Sequence, residues 1–232
     1  MTIDELRKAS EAGSAVLTDE MTDRLLRYAG LLREWNEKMN LTAITEPEEV
    51  YEKHFLDSLI PLSQVRIAGR AADVGTGAGF PGLVWAIARE DLDITLIEPT
   101  GKRCTFLKTV IRELGIKNVT VENCRAEDYA ADHREEFDVV AARAVAALPV
   151  LSELCVPLVR KGGIFLAMKG AQGKEEAKAS LHALKALGCS EPQLFEAKLP
   201  SGDIRINVAA EKISKTPEQY PRPYARIKKK PL

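Results

Sequence analysis

The sequence predicts an α/β fold built on a doubly wound, mostly parallel sheet, and two observations lead to that prediction. From residue 70 onward, short apolar runs of strand character alternate with amphipathic helical segments, as in chains made of β-α-β units. A cluster of four glycines within residues 75–82 follows the first apolar run directly. Glycine loops at such a position let the backbone approach a ligand, and they open a helix whose first amides can hold it.

Residues 1–65 precede this alternation and are predicted to form a helical N-terminal extension. Between residues 18 and 40, large apolar side chains recur at steps of three and four, which is one face of a helix. Thr18 suits the N-cap of that helix. A weaker helix is expected from about Pro47 to Leu59, because proline suits a first turn. We interpret the apolar stripe as core packing.

The α/β domain is expected to span residues 66–213. Its strands are predicted at 71–74, 94–98, 118–122, 137–142, 164–168, 194–199 and 204–210, and its helices at 80–89, 102–114, 148–159 and 175–187. The two final strands are expected to pair antiparallel. Residues 214–232 are rich in proline and basic side chains and are expected to be a tail without a packed core.

The composition is ordinary for a globular chain of 232 residues, with 45% hydrophobic and 29% charged residues. The four cysteines and three histidines are scattered without ligand spacing, so neither a metal site nor a disulfide framework is predicted. The sequence shows no signal peptide and no apolar run of about 18 residues. We therefore expect a cytoplasmic protein with no membrane partner. A monomer is expected because no apolar stripe is left over.

Charge is spread unevenly along the chain. The whole chain has a net charge of −1, but the segment from Lys212 to Leu232 holds seven basic residues and one acid. This segment therefore carries +6 and the residues before it carry −7. A basic tail on an acidic body is suited to binding a polyanion, and a merely solvated tail is the alternative.

Two cofactors could occupy the glycine loop. The dinucleotide pattern G-x-G-x-x-G fits only when it begins at Gly77, which leaves two residues inserted after the strand and places Pro81 in the turn. The S-adenosylmethionine pattern is an acid, then G-x-G-x-G, then an acid ending the second strand. It fits Asp73, Gly75 and Glu98 without insertion. S-adenosylmethionine is therefore favoured, and an NAD-dependent oxidoreductase is the alternative.

Several further motifs add up to a family resemblance. They are Trp35-Asn36-Glu37-Lys38-Met39-Asn40-Leu41-Thr42, Lys53-His54-Phe55-Leu56-Asp57-Ser58-Leu59, the loop 73–82, Gly101-Lys102-Arg103, Arg125-Ala126-Glu127, Ala142-Arg143-Ala144, Met168-Lys169-Gly170 and the segment 216–222. With them the chain resembles the small-subunit ribosomal RNA methyltransferase G family, also called glucose-inhibited division protein B. The resemblance implies a Rossmann-like, S-adenosylmethionine-dependent methyltransferase. It further implies methylation of N7 of a guanine in the 530 loop of 16S rRNA, with that rRNA or the small ribosomal subunit as partner. A methylase of another RNA or of a small molecule, or an RNA-binding assembly factor, are the alternatives.

The resemblance also implies a set of cofactor-binding residues. They are Gly75, Gly77, Gly79, Phe80, Glu98, Pro99, Thr100, Ala126, Glu127 and Arg143. The chain departs from the family's pattern at residues 98–100, where the family often has Asp-Ser-Leu and this chain has Glu-Pro-Thr. The longer Glu98 can still reach a ribose, whereas the contact attributed to the family's serine is not carried over to this chain.

The expected chemistry asks for orientation rather than acid–base catalysis. Guanine N7 has a lone pair and no proton, so it can attack a sulfonium methyl without a general base, and the protein must align and desolvate the reactants. Arg143 and Lys169, at the ends of the fourth and fifth strands, are the candidate catalytic residues. Arg143 is expected to contact cofactor or RNA and Lys169 an RNA phosphate, with a structural ion pair as the alternative.

Cations around the expected cofactor rim are candidates for binding RNA. They are Lys102, Arg103, Arg125, Lys169, Arg222 and Lys228. In the tail, Tyr220 and Tyr224 alternate with basic residues, a mixture suited to base stacking and phosphate contact. His54, Asp57 and Ser58 are spaced to share one helix face. They are interpreted as a hydrogen-bonded cluster or as a substrate contact.

Overall fold

The centre of the molecule is a seven-stranded sheet in the order β3-β2-β1-β4-β5-β7-β6. The computed structural model describes residues 1–13 and 15–232. The strands are β1 (Arg70–Val74), β2 (Asp93–Ile97), β3 (Val119–Glu122), β4 (Phe137–Arg143), β5 (Val159–Lys169), β6 (Gln193–Lys198) and β7 (Ile204–Glu211). The first five are parallel, and β7 lies antiparallel to both β5 and β6. The predicted doubly wound sheet with an antiparallel end is confirmed.

Helices cover both faces of the sheet. They are α1 (Ile3–Gly13), α2 (Asp19–Met39), α3 (Pro47–Val50), α4 (Asp57–Leu59), α5 (Pro61–Gln64), α6 (Gly82–Ala88), α7 (Gly101–Leu114), α8 (Ala126–Asp132), α9 (Leu148–Cys155), α10 (Gly173–Ala179), α11 (Leu181–Leu187) and α12 (Tyr224–Lys229). Within the described part of the chain, none of them has the length and apolar character needed to cross a bilayer.

The sheet reverses its direction of winding at β1. From β1 the chain adds β2 and β3 on one side, and it then returns to add β4 and β5 on the other. The carboxyl ends of β1, β2, β4 and β5 therefore meet at one edge around this switch point, which is where open α/β sheets hold their ligands. Both faces of β1 and β2 are buried, so these strands form a rigid base for the edge.

The N-terminal residues are largely helical, and their longest helix, α2, packs against α6 and α7. The Thr18 hydroxyl caps α2 by accepting a hydrogen bond from the amide of Met21, at 3.2 Å. Leu25, Tyr28 and Leu32 of α2 are buried in one apolar cluster with residues of α6, α7 and β2. The described residues of the extension thus share one core with the α/β part, which completes the apolar face of α2. The boundary at residue 65 remains a prediction.

The segment from residue 47 to residue 59 is helical as predicted, but its middle, Tyr51–Leu56, is a π-helix. The wider turn is closed by the amide of Asp57, which donates to the carbonyl of Glu52. The predicted helix at 175–187 is interrupted at Ser180, whose hydroxyl donates to the carbonyl of Glu176 at 2.7 Å. A side chain that competes for helix carbonyls explains why two helices replace one.

The expectation that residues 214–232 lack a packed core is wrong. This C-terminal segment contains α12, and Ile227 is fully buried in the apolar cluster formed by α9 and the neighbouring strands. Arg222 forms a two-pronged ion pair with Glu153 of α9, at 2.6 and 2.8 Å. Because Glu153 is fully buried, its carboxylate needs a cation, and the segment supplies it.

Candidate cofactor site and active site

The glycine loop occupies the carboxyl end of β1. Gly75 has a φ of +66°, a conformation that favours glycine, and a Cβ there would lie 2.7 Å from Cγ2 of Val145. Gly82, at the start of α6, is packed still more closely, since a Cβ added there would lie 2.3 Å from Cδ2 of Leu96. The sequence therefore uses glycine here to keep the loop tight between β1, β2 and the segment after β4.

Asp73 fixes the glycine loop through hydrogen bonds. Its Oδ2 atom accepts hydrogen bonds from the Thr76 hydroxyl at 2.6 Å and from the amide of Gly82 at 2.8 Å. Burial raises the pKa of Asp73 to about 6, and the two hydrogen bonds limit the rise. Its Oδ1 atom is buried and has no hydrogen-bond partner among the described residues. Such an acceptor suits a donor group of a bound ligand.

Glu98 connects the glycine loop to the end of β2. Its carboxylate is buried and accepts from the amide of Gly77 at 3.0 Å and from the amide of Thr100 at 2.9 Å. Arg103 lies 3.8 Å from the same carboxylate. Each carboxylate oxygen keeps a further lone pair, so Glu98 can also accept from a ribose hydroxyl. The longer side chain at this position therefore reaches the glycine loop through the amide of Gly77.

An apolar cavity opens beside the loop. It is lined by Val74, Gly75, Ile97, Pro99, Arg125, Ala126, Glu127, Val145, Leu154 and Tyr224. Of the predicted cofactor residues, this cavity brings together Gly75, Pro99, Ala126 and Glu127. A purine is flat and largely apolar, and aliphatic walls with a few polar groups are the usual setting for such a ligand. The cavity, the ribose acceptor and the unpaired Asp73 oxygen together fit an adenosine cofactor.

Other predicted cofactor residues lie elsewhere around the loop. Phe80 is buried, and its ring stacks on His54 with centroids 4.3 Å apart and on Tyr28 at 5.3 Å. Its side chain is thus part of the core beneath the loop. Thr100 is exposed and contributes its amide to Glu98. Arg143 lines a second depression rather than the apolar cavity.

That second depression, the polar cleft, lies at the carboxyl ends of β4 and β5. Its walls are Ile44, Lys53, His54, Asp57, Arg143, Ala144, Met168, Lys169, Gly170, Glu176 and Arg205. Four of these side chains are cations and two are carboxylates, which makes the cleft attractive to an anion. Ala144 lines the polar cleft and its neighbour Val145 lines the apolar cavity, so the two sites adjoin.

Arg143 is the centre of a hydrogen-bonded cluster in the polar cleft. Its Nη1 atom donates to the carbonyl of Lys53 and to Oδ2 of Asp57, each at 3.0 Å. Its guanidinium carbon also lies 5.0 Å from the centroid of the Phe80 ring. Asp57 is paired a second time, with Nε of Arg205 at 3.2 Å. Arg143 therefore forms an ion pair within the protein, which is the alternative that the sequence left open.

His54 belongs to the same cluster and is uncharged. Burial, followed by the nearby Arg143 guanidinium, lowers the pKa of His54 to about 3. Nη2 of Arg143 lies 3.2 Å from Nδ1 of His54, and a guanidinium can only donate, so Nδ1 accepts. The ring proton is then on Nε2, which donates to the Thr42 hydroxyl at 3.0 Å. Three of the sequence motifs thus meet in this cluster, residues 35–42 through Thr42, residues 53–59 through His54 and residues 142–144 through Arg143.

Lys169 is also paired inside the protein. Its ammonium group contacts the Ala146 carbonyl and lies 2.9 Å from Oε2 of Glu176, and its side chain is almost fully buried. Arg222, which the sequence placed among the RNA-binding cations, is committed to Glu153 and is not a free cation at the surface. Burial of the opposing carboxylate explains that difference, and nothing in the sequence indicates it.

The remaining candidate cations lie at the surface around the cavity. Lys102, Arg125 and Lys228 are exposed, and Arg103 is half-buried against Glu98. Sequence reasoning missed Arg205 and the contribution of Tyr224 to the apolar cavity. Arg205 carries no local signal, because it enters from β7, far along the chain from the residues it joins. Among the described residues, no group of acids, histidines and cysteines is arranged to hold a metal ion.

Solved structures share this fold at low sequence identity. A precorrin-6y C5,15-methyltransferase from Geobacter metallireducens superposes with a TM-score of 0.52 at 14% identity, covering 67% of this chain and 87% of that one. A SAM-dependent O-methyltransferase from Thermotoga maritima gives 0.52 at 16% identity, over 81% and 73% of the two chains. These likenesses show that the chain has a Rossmann-like fold of the kind found in methyltransferases.

The family is shown by closer relatives. A family model described as rRNA small subunit methyltransferase G matches residues 21–201. A ribosomal RNA small subunit methyltransferase G from Clostridium beijerinckii is 44% identical over 99% of this chain and 98% of its own length. One from Desulfitobacterium hafniense is 47% identical, over 93% and 91%. The chain belongs to the rRNA small subunit methyltransferase G family, which confirms the resemblance. The cofactor of this methyltransferase family is S-adenosylmethionine, so the predicted cofactor is confirmed and the NAD alternative is set aside.

Proposed function

We propose that this protein transfers a methyl group from S-adenosylmethionine to N7 of a guanine in the 530 loop of 16S rRNA. The observation that carries the choice of atom is the state of the ionisable groups in the polar cleft. Among the described residues lining it, Asp57 is paired with two arginines, Glu176 with Lys169, and His54 with Arg143 and Thr42. A cleft with no disengaged base suits a nucleophile that carries no proton, and guanine N7 is one.

The reaction balances without a base. With the cofactor bound, the N7 lone pair would form the new carbon–nitrogen bond as the carbon–sulfur bond breaks, and the electron pair of that bond would go to sulfur. The cofactor would supply an electrophilic methyl group on a positively charged sulfur. Positive charge would pass to a purine held in the polar cleft, where Asp57 and Glu176 contribute carboxylates to the walls.

The chain's own residues would position the reactants. Glu98 would accept from a ribose hydroxyl, and the Oδ1 atom of Asp73 would accept from a donor such as an ammonium group. The Arg143 cluster forms a rigid wall, because its guanidinium, His54 and Asp57 hold one another. Alignment of two reactants in such a setting contributes most of the expected rate enhancement.

The charge of the polar cleft supports an RNA substrate. Its cations exceed its carboxylates by two, although the chain as a whole has a net charge of −1. The cleft is open at the edge of the sheet, which suits a base presented by a single-stranded loop. The relatives' names specify ribosomal RNA of the small subunit. A small-subunit partner, a monomeric state and a cytoplasmic location belong to this proposal.

Transfer of labelled methyl groups tests the proposal. Small ribosomal subunits from a strain that lacks the enzyme are incubated with the protein and labelled S-adenosylmethionine, and the modified base is mapped. We expect label on N7 of one guanine of the 530 loop. Glu98→Ala should abolish transfer, whereas Glu113→Ala, at an exposed acid on α7, should not. Label on another atom or another RNA would contradict the proposed specificity, and absence of label would contradict the activity.

A further inference from the structure

The C-terminal segment, residues 214–232, reaches the apolar cavity. All but one of the cavity's lining residues come from positions 74 to 154, and the exception is Tyr224, the first residue of α12. The tyrosine is half-buried and packs against the apolar cluster that includes Leu154 and Ile227. A segment that sequence reasoning assigned to the surface therefore supplies part of a wall next to the glycine loop.

The position of Tyr224 is fixed from both sides. Before it, Arg222 is held by the buried Glu153 through its side chain and through its amide, which donates at 2.9 Å. After it, Ile227 is fully buried. The prolines at 221 and 223 restrict the backbone further. A ring held in this way loses little conformational entropy when it contacts a ligand.

Arg125 is the neighbour of Tyr224 in the wall of the apolar cavity. Its guanidinium carbon lies 5.7 Å from the centroid of the Tyr224 ring, and Arg125 itself lines the cavity. Arg125 immediately precedes Ala126 and Glu127, two of the cofactor-binding residues that the family resemblance implies. The cation thus lies over one face of the ring and joins the start of α8 to α12.

We propose that Tyr224 is a cofactor-binding residue whose ring packs against the adenine base of S-adenosylmethionine, which makes the C-terminal segment a structural part of the cofactor site. This inference rests on the proposed function, since it takes the apolar cavity to be the adenine site. The basic residues of α12 remain exposed on its outer side, so RNA contact by Lys228 is compatible with it. A contact between an aromatic ring and a base depends on the ring face and not on the hydroxyl.

Calorimetric titration with S-adenosylhomocysteine, in the absence of RNA, tests the inference. Tyr224→Leu keeps apolar volume but removes the ring, and we expect its dissociation constant to rise about tenfold. Tyr224→Phe keeps the ring and should bind within about twofold of the unchanged protein. Lys229→Ala, at an exposed position on the same helix, is the matched control and should also bind normally.

The outcomes separate this inference from the proposed function. Equal binding by the unchanged protein and Tyr224→Leu overturns the inference and leaves the proposed function standing. Loss of binding in Tyr224→Phe as well as in Tyr224→Leu overturns the role of the ring face. No binding by the unchanged protein overturns the proposed function and the inference together. The tenfold loss should be the same at low and high salt, because the contact does not depend on a phosphate charge.

Discussion

His54 is an imidazole that the fold keeps uncharged through most of the acid range. In the folded protein its pKa is lowered to about 3 by burial and by Arg143, whereas an unfolded chain takes up the proton near pH 6.5. Between these two values the unfolded state binds more protons, so His54 makes the protein less stable as the pH falls from about 6.5 to about 3. Its contribution to acid sensitivity therefore lies in that window.

This behaviour can be measured on the ring itself. We expect NMR of the folded protein to show His54 as a neutral imidazole with the proton on Nε2 at pH values well below its ordinary pKa of about 6.5. In His54→Asn, the free energy of unfolding should depend less steeply on pH in the same window. A ring that protonates near its ordinary pKa in the folded state would contradict the burial argument.

Asp73 has the opposite pH dependence. Burial raises its pKa to about 6, so the folded state binds its proton more tightly than the unfolded state, and this carboxyl favours folding more as the pH falls through 6. We expect Asp73→Asn to keep the free energy of unfolding at neutral pH, because a neutral amide avoids the cost of a buried charge. Binding of S-adenosylhomocysteine should fall at least tenfold, since an acceptor beneath the loop is lost.

Chemical denaturation and calorimetry of the same sample separate the two effects. Wild-type stability with weak binding is the expected combination for Asp73→Asn. Strong destabilisation at neutral pH would show instead that the hydrogen bonds to Thr76 and Gly82 require the charged carboxylate.

At the scale of single elements, two glycines in helices should respond in opposite directions to alanine. Gly82→Ala places a methyl 2.3 Å from a Leu96 methyl and 2.9 Å from Oδ2 of Asp73, so we expect a loss of about 1–3 kcal/mol. Gly30→Ala, within α2, meets no atom inside 4 Å and should gain up to about 1 kcal/mol. Urea unfolding of both variants measures the difference, and a stable Gly82→Ala would contradict the close packing of α6.

Elements with a strong local pattern could be predicted from the sequence. The stripe of α2 and the Thr18 cap were visible because their spacing is helical, and β1 and β2 because they are short apolar runs before turns. β5 begins earlier than predicted, at Val159 rather than 164, because the polar and glycine residues 160–163 conceal its first part. The π-helix and α12 have no such pattern, and α12 buries a single apolar side chain, Ile227.

The same difference between local patterns and long-range contacts decides which residues of the site could be predicted from the sequence. Gly75 and Glu98 lie on one local β-α-β unit, where spacing along the chain reports spacing in the fold. Arg205 and Tyr224 reach the site from β7 and α12, and only the complete arrangement of the sheet brings them there. The carboxylate partners of Arg143 and Arg222 were likewise hidden, because they depend on which carboxylates are buried.

For the whole molecule, the shared core of the N-terminal helices and the sheet implies one cooperative unit. Trp35 lies on α2 and contacts Phe106 of α7, while Trp85 is buried in α6. We expect Trp35→Phe and Trp85→Phe to unfold in urea with the same midpoint whether followed by fluorescence of the remaining tryptophan or by circular dichroism. If the fluorescence midpoint and the circular-dichroism midpoint of one variant differ, residues 1–65 unfold separately from the rest.

RNA binding should depend on salt through the cations around the site. We expect Lys102→Ala, on the exposed face of α7, to weaken binding to a 530-loop RNA and to lower the slope of log K against log salt by about one. Lys161→Ala is the matched control, because Lys161 is exposed at the opposite, amino end of β5. An unchanged slope in Lys102→Ala would place the RNA on another surface.

The position of β7 also determines when the sheet is completed. β7 lies between β5 and β6 and is hydrogen-bonded to both, although it follows them in the chain. While the chain is being synthesised, β5 is present well before its second neighbour, with one row of backbone amides and carbonyls unpaired. Open edges of this kind recruit other chains. A chain interrupted before residue 204 therefore leaves that side of β5 unpaired, and pairing with β7 covers it.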